Sequence, residues 1–158
     1  MNEASITRYI ADTFRGVEVV TVEATGDTFF CFDPDHMIYF ATLLTNSSYD
    51  QFSDLGRPSV FRLNIGVGKR TYNSLFGPRP TPSSAGGTAN SDYTALDRLM
   101  PHPEYARMYW VCILNPSDET FQRVVQPLPA EASATAVSSP PQNRQQQSTQ
   151  MATGTAKG

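Results

Sequence analysis

One histidine in this chain stands where its side chain could do chemistry. His102 lies between Pro101 and Pro103, shortly before Tyr105, and the two prolines restrict the backbone on either side of the ring. An imidazole titrates near neutral pH, so it can serve as a general base. The alternative interpretation is a structural histidine whose ring is hydrogen-bonded to a nearby carbonyl.

Two further polar side chains lie in a segment in which apolar and polar residues alternate, as in a β-strand. Over residues 58–67 the apolar side chains alternate with Arg62, Asn64 and Gly66, which places Arg62 and Asn64 on one face with an opening beside them. If a helix or the mobile loop at 78–92 covers this face, the two residues form the polar floor of a pocket. If the face is simply open to solvent, the pair has no special role. We predict that the two residues serve a ligand more than the fold, so that on an open face their removal costs within about ±0.5 kcal/mol. The candidate ligand-binding residues are Arg62, Asn64, His102, Tyr105 and Trp110.

The other chemical motifs are weak. Gly68-Lys69 follows a strand, but a phosphate-binding loop requires a glycine at the position of Leu63 and a serine or threonine at that of Arg70. Two cysteines, at 31 and 112, lie in apolar runs and are interpreted as buried thiols. No metal site and no cofactor is expected. Three charged residues at 50, 54 and 57 are interpreted as a solvated cluster.

The elements that must position these residues are helices and short strands. A helix capped by Asn2 is predicted to bury Ile6 and Ile10, and the last helix is predicted to begin at the cap Asn115. Strands are predicted over 17–22, 28–32, 38–45, 58–67 and 108–114, and further helices over 68–76, 93–100 and 116–128. The sequence therefore predicts a single α+β domain, with an N-terminal helix and an about five-stranded, mostly antiparallel sheet whose helices pack on one side.

Composition sets the limits of the domain and of its partners. Residues 1–129 are predicted to fold, with a mobile loop at 78–92, and 130–158 to form a disordered low-complexity tail. The net charge of −3 argues against nucleic acid as a partner. Neither a signal peptide nor a membrane span is recognised, so we expect a cytoplasmic protein without membrane contact.

Two longer phrases resemble a known family. The phrase from Phe61 to Val67 and the phrase Leu99-Met100-Pro101-His102-Pro103 are similar to bacterial proteins of domain-of-unknown-function family 6194, over residues 3 to about 128. That resemblance implies no activity, and residues 130–158 depart from the family pattern. A weaker resemblance, in element order and in a Trp-bearing strand before the last helix, is to the MmcQ/YjbR proteins, whose α+β fold is similar to a double-wing DNA-binding scaffold.

Three functions are compatible with these observations. The first is non-catalytic binding of a small molecule or a protein partner. The second is a small enzyme of unidentified reaction that uses His102, with Asp54 or Tyr105, near Arg62. The third is DNA binding by analogy with the double-wing scaffold, which the net acidic charge disfavours. The distance of His102 from Arg62 and Asn64 separates the first two.

Overall fold

The computed structural model describes residues 1–32, 39–78 and 91–128. These residues form an α+β domain, as predicted, while most of the predicted mobile loop and the predicted tail lie outside the described residues. The strands are β1 Glu18–Thr21, β2 Thr28–Cys31, β3 Tyr39–Leu44, β4 Arg62–Gly66, β5 Met100–Pro101 and β6 Trp110–Leu114. The helices are α1 Glu3–Thr13, α2 Lys69–Phe76 and α3 Asp118–Thr120, which continues into a π-helical turn, Phe121–Val125. A short 3-10 helix, Ala106–Met108, lies between β5 and β6.

The six strands form one antiparallel sheet in the order β1-β2-β3-β4-β6-β5. The first four strands follow one another as a meander, and β6 then adds beside β4. Consequently β4 is a central strand, and all five of its residues are buried. The chemistry-bearing segment predicted from the sequence therefore lies in the middle of the sheet.

The strand that the sequence did not predict, β5, lies at the end of a segment predicted to be a helix. Residues 93–100 have apolar residues at helical spacing, yet they form turns, and the helix prediction for this segment is wrong. Met100 pairs instead with Cys112 of β6, and Asp97, at φ 57°, donates its amide to the carbonyl of Leu114. Leu96 remains 49% exposed, so no apolar stripe forms. Pairing with β6 satisfies the backbone here, which outweighs local periodicity.

One face of the sheet carries the helices, and we call it the helical face. Phe61, Leu63 and Ile65 point to this side and pack with side chains of α1, α2 and the π-helical turn. The helix residues in this core are Ile6 and Ile10 from α1, Tyr72 from α2, and Phe121 and Val125 from the π-helical turn. The prediction that the helices pack on one side is confirmed. The predicted N-terminal helix is confirmed as well, because its cap Asn2 accepts a 2.8 Å hydrogen bond from the amide of Ser5.

The cap of the last helix lies two residues later than predicted. Ser117 is the N-cap, and its hydroxyl accepts from the amide of Thr120 at 3.1 Å. Asn115 instead joins the end of β6 to the start of β4, since its side chain accepts from the amide of Phe61 at 2.9 Å and donates to the carbonyl of Ser59 at 2.8 Å. Asparagine suits this position because its backbone has a φ of 41°.

Candidate functional site

The opposite side of the sheet, which we call the loop face, has Arg62, Asn64 and Gly66 on β4. The strand register extends this face across the sheet as a row in which Phe29, Thr42, Asn64, Cys112 and Met100 are successive neighbours. Polar side chains thus occupy the middle of the row, with apolar side chains at both ends.

Irregular segments cover the loop face. Residues 46–60 pass over it and contribute Leu55 to a small apolar cluster with Leu44 and Leu114. From the other side Tyr93 joins the same cluster. Arg57 fastens the two covering segments together, because its Nη2 donates both to the carbonyl of Ser53 at 3.0 Å and to that of Thr94 at 2.9 Å. Arg62 and Asn64 therefore lie under a cover that, among the described residues, is formed by irregular segments and not by the expected helix.

Arg62 is completely buried and forms a two-pronged ion pair with Asp50. Its Nη1 donates to Asp50 Oδ1 and to Ser53 Oγ, each at 2.9 Å, and its Nη2 donates to the second oxygen of Asp50. Its Nε donates to Asn64 Oδ1 at 2.9 Å, and Asn64 Nδ2 donates to Thr42 Oγ1 at 3.0 Å. A charged pair so deeply buried is stable only when its hydrogen-bonding groups are satisfied in this way.

This network corrects two expectations. Arg62 is a structural residue as well as a site residue, since three hydrogen bonds to Asp50 and Ser53 hold the cover on β4. Its removal is therefore not mild. Asp50 is not part of a solvated cluster either: its side chain is 6% exposed, whereas Asp54 is exposed and lies 3.8 Å from Arg57.

His102 is buried beside this network, at 3% exposure. Its Nδ1 accepts hydrogen bonds from the amides of Glu104 and Tyr105, both at 3.0 Å, so the proton of the neutral ring is on Nε2. Burial, and secondarily the positive charge of Arg62, hold the pKa of His102 well below its usual 6.5. The imidazole is consequently neutral at physiological pH, and its bonding partners are backbone amides rather than the expected carbonyl.

The charges of Arg62 and Asp50 also affect the pKa values of two groups beside His102. Burial and the negative charge of Asp50 raise the pKa of Glu104, while Arg62 opposes this shift. Burial, Glu104 and Asp50 raise the pKa of Tyr105 to about 12. The ring of Tyr105 also lies against that of His102, with a centroid distance of 4.8 Å. Glu104 and Tyr105 therefore lie within electrostatic reach of the Arg62–Asp50 pair, at the solvent boundary of the site.

Trp110 closes the other side of His102. The two ring centroids are 6.5 Å apart with the planes nearly perpendicular, and the indole lies on Gly66. A Cβ at position 66 would stand 3.1 Å from Trp110 Cε2, so only glycine leaves the indole this close to β4. Cys112, on the floor between these residues, is an inert thiol because burial raises its pKa to about 12.

The structure thus brings the five sequence-predicted residues into two connected groups. Arg62 and Asn64 are bonded to each other, whereas His102, Tyr105 and Trp110 form a ring cluster. The charge of Arg62 acts on His102 and links the two groups. Sequence reasoning missed Asp50, Ser53, Thr42 and Glu104 as members of the site. Thr42 could have been found as a polar residue in an apolar strand, but no local pattern identifies Asp50 as the partner of Arg62.

Two negative findings apply to the described ranges. In residues 1–32, 39–78 and 91–128 no three His, Cys, Asp or Glu side chains are grouped so that they could hold a metal ion. Within the same residues, none of the helices has the length and apolarity needed to cross a membrane.

Fold and site together define a small α+β domain with a buried ion pair and a ring cluster on the loop face. The chain belongs to the family of unknown function DUF6194, whose model matches residues 1–146. The match extends beyond residue 128, where the sequence resemblance ended, so part of the segment expected to depart from the family lies inside the matched region. No curated protein and no solved structure matches the chain, and the MmcQ/YjbR resemblance stays a prediction.

Proposed function

We propose that this protein binds a small polar molecule without transforming it, at the loop face beside Tyr105 and Trp110. The observation that carries the proposal is the ion pair at the centre of this face between the fully buried Arg62 and Asp50, whose side chain is 6% exposed. Replacing a buried ion pair by apolar side chains of similar volume is often neutral or stabilising, so such a pair is not needed to stabilise a sheet. A preorganised set of charges next to a ring cluster is useful for orienting a polar ligand.

The residues of the site divide between support and contact. Arg62 and Asn64 have their polar atoms engaged by Asp50, Ser53 and Thr42, and they act by fixing the cover and the floor. Tyr105 and Glu104 are more exposed and form the proposed contact groups, together with the edge of Trp110. Aromatic rings with a polar end suit this role because they offer apolar area and a hydrogen bond to the same ligand.

Binding is better supported than catalysis by His102. A general base needs a free lone pair, and the lone pair on Nδ1 already accepts from two backbone amides. The remaining nitrogen, Nε2, carries the proton of the neutral ring and can only donate. Asp54, one of the two residues expected to assist His102, is exposed next to Arg57. His102 is therefore assigned to positioning Glu104 and Tyr105.

A small molecule is favoured over a protein partner because two of the three rings of the ring cluster are recessed behind the exposed contact groups. His102 is 3% exposed and Trp110 9% exposed, so a flat protein surface would not reach them. Protein interfaces are usually anchored by large aromatic side chains that bury most of their surface only on binding. The site described here already has its largest rings buried.

Trp110 makes the proposal directly testable, because it is the single tryptophan of the chain. Its emission can be recorded while the full-length protein is titrated with a panel of polar metabolites grouped as anions, cations and neutral compounds. We expect at least one group to shift the emission maximum and to protect Trp110 from acrylamide quenching. A panel without any such compound would contradict the proposal.

A matched pair of tyrosine variants locates the response. Tyr105→Phe removes the hydroxyl but keeps the ring that lies on His102, and it should weaken binding about tenfold, the value of one good hydrogen bond. Tyr9→Phe makes the same chemical change on the helical face, where Tyr9 packs on Phe121, and should leave the affinity unchanged. Equal affinities in the two variants would show that the ligand binds away from Tyr105.

A further inference from the structure

The two edges of the sheet are built differently. At one edge, β5 is two residues long and includes Pro101, which has no amide hydrogen to donate to a further strand. Short strands and prolines are features by which proteins prevent edge-to-edge pairing. At the other edge, β1 is four residues long, and no strand pairs with its outer side in the part of the chain that the structure describes. The β1 edge has neither of these protective features.

The backbone of β1 has hydrogen-bonding groups that β2 does not use. The amide of Val22 donates to the carbonyl of Asp27 at 2.8 Å, so this amide points inward, towards the strand that begins at Thr28. Successive residues of a strand direct their backbone groups to opposite sides, so those of Val19 and Thr21 point outward. Outside the ladder between β1 and β2, none of the described residues bonds to the backbone of these two residues.

The side chains of this edge suit pairing with a further strand. Val19, Val20 and Thr21 are β-branched, which is the type of side chain that strands favour. Val19 is 38% exposed, and Thr21 is exposed as well. The register with β2 is continuous from Glu18 to Thr21, so no bulge in this pairing bends the edge away. The edge is therefore a regular, exposed segment of strand-forming residues.

We infer that two copies of this chain pair through β1, as antiparallel strands related by a two-fold axis at Val20. In this register Val19 of one copy exchanges both of its backbone hydrogen bonds with Thr21 of the second copy, and Thr21 does so with Val19. The two Val20 side chains lie directly opposite each other, at a position without hydrogen bonds, where Cα atoms are about 4.5 Å apart. Since β2, β3 and β4 separate β1 from Trp110 on β6, the inference does not depend on the proposed function.

The sequence of β1 favours a second copy over an unrelated peptide. The outward-facing residues, Val19 and Thr21, lie symmetrically about Val20, so one segment supplies both halves of an antiparallel pair. Glu18 would lie opposite Val22 of the second copy, so two carboxylates do not face each other across the axis. Pairing would also cover the exposed side chain of Val19. Two strands of this length bury little area, so we expect a weak dimer.

The oligomeric state of the full-length protein tests the inference. Sedimentation equilibrium from about 1 µM to about 200 µM protein should show a reversible monomer–dimer equilibrium, with a Kd on the order of tens of micromolar, as is typical of small interfaces. A protein that stays monomeric throughout this range would overturn the inference, whatever covers the edge of β1.

A proline at the edge tests whether β1 is the contact. Val19→Pro removes an outward-facing amide without removing a hydrogen bond to β2, and it should weaken dimerisation at least about tenfold. Val19→Thr keeps both the amide and the branched side chain, and it should dimerise like the wild type. Dimerisation of Val19→Pro as tight as that of the wild type would place the contact elsewhere on the molecule.

Two cysteine variants test the two-fold register, and they decide the question even if Val19→Pro does not fold. Val20→Cys places two thiols opposite each other, so oxidation by copper(II)–phenanthroline should give a disulfide-linked dimer. Val19→Cys is the matched control, since its counterpart in the second copy is a diagonal neighbour about 7–8 Å away, too far for a disulfide. The native cysteines, Cys31 and Cys112, are buried. Equal cross-linking of the two variants, or none in Val20→Cys, would overturn the register.

Discussion

The two faces of the sheet are covered in different ways. On the helical face, Leu63 and Ile65 of β4 meet side chains from α1, α2 and the π-helical turn, and the core there is apolar and rich in aromatic rings. On the loop face, Arg62 and Asn64 of the same strand meet irregular segments and form a buried polar network. Neighbouring residues of one strand thus lie in opposite environments.

The two faces differ because helices and irregular segments satisfy their backbone hydrogen-bonding groups in different ways. A helix satisfies its own amides and carbonyls, except at its ends, and presents only side chains to the sheet. An irregular segment carries backbone groups that need partners, so polar side chains such as Arg57 and Asn115 must lie among them. Polar groups held by loops on a rigid sheet are also where binding sites commonly occur. The loop face is therefore the face where we place function.

The largest effect should come from comparing two adjacent residues, one on each face. Phe61→Ala leaves a cavity in the helical-face core and should cost about 3–5 kcal/mol. Arg62→Ala leaves Asp50 buried without its partner and should cost about 3–5 kcal/mol as well. Unfolding midpoints in urea measure both. If Arg62→Ala stays within about ±0.5 kcal/mol, Asp50 can reach water and the pair contributes nothing to the fold.

A double variant separates the structural role of the ion pair from its proposed use. Arg62→Met combined with Asp50→Leu replaces both charges by apolar side chains, so no buried charge is left unpaired. We expect most of the stability lost in Arg62→Ala to return, to within about 1–2 kcal/mol of the wild type. Ligand-induced changes in Trp110 emission should not return. A double variant that still binds the ligand would show that the ion pair does not orient it.

A smaller effect should appear as a pH dependence on the loop face alone. The pKa of folded His102 is well below 6.5 because of burial and Arg62, whereas an unfolded histidine titrates near 6.5. The unfolded state binds the proton first as the pH falls, so the contribution of neutral His102 is complete above about pH 6.5 and is lost below it. By pH 5.5 we therefore expect the free energy of unfolding to be measurably lower than at pH 7.5 because of this residue.

His102→Asn is the matched control for this prediction. An asparagine side chain can accept from the amides two and three residues later, as the imidazole does from Glu104 and Tyr105, but it does not titrate. Unfolding free energies at pH 7.5 and 5.5 give the comparison, because the titration of all other groups is common to both proteins. Equal losses in the wild type and in His102→Asn would mean that the folded site accepts the extra proton.

The sequence predicted the parts of this comparison that depend on local pattern. Alternation along residues 58–67 was enough to assign Arg62 and Asn64 to one face, because the side chains of a strand alternate strictly. Similarly, His102 and Tyr105 are only three residues apart, so their contact depends on one short turn. Strand lengths were overestimated, as for 58–67, in which the strand covers only Arg62–Gly66.

The features that the sequence did not predict depend on contacts between segments that are distant in the chain. The position of Asp50 above Arg62 follows from the path of residues 46–60, and that path is set by Leu55 and Arg57 packing against residues that come much later in the chain. Likewise β5 forms because Met100 pairs with Cys112 of β6, and not because of a strand pattern in its own sequence. A single sequence contains no local signal for either pairing, so the polar network could be recognised only in the folded chain.

The smallest expected effect on stability concerns Gly66, where the loop face allows a ring to approach the backbone. In Gly66→Ala the new Cβ would lie 3.1 Å from Trp110 Cε2, and the indole must move by a few tenths of an ångström. The gain from restricting the unfolded chain offsets part of this strain, so the unfolding free energy should change by about 1 kcal/mol or less. The emission maximum and acrylamide quenching of Trp110 should nevertheless change, and ligand affinity should fall, because the indole forms one edge of the proposed site.

Gly56→Ala is the control, since its Cβ would stand 3.9 Å from Asp54 Oδ1, an ordinary contact. Unaltered Trp110 emission in Gly66→Ala would mean that the indole is not held by the flat surface of β4, and the edge of the site would then have to be placed elsewhere.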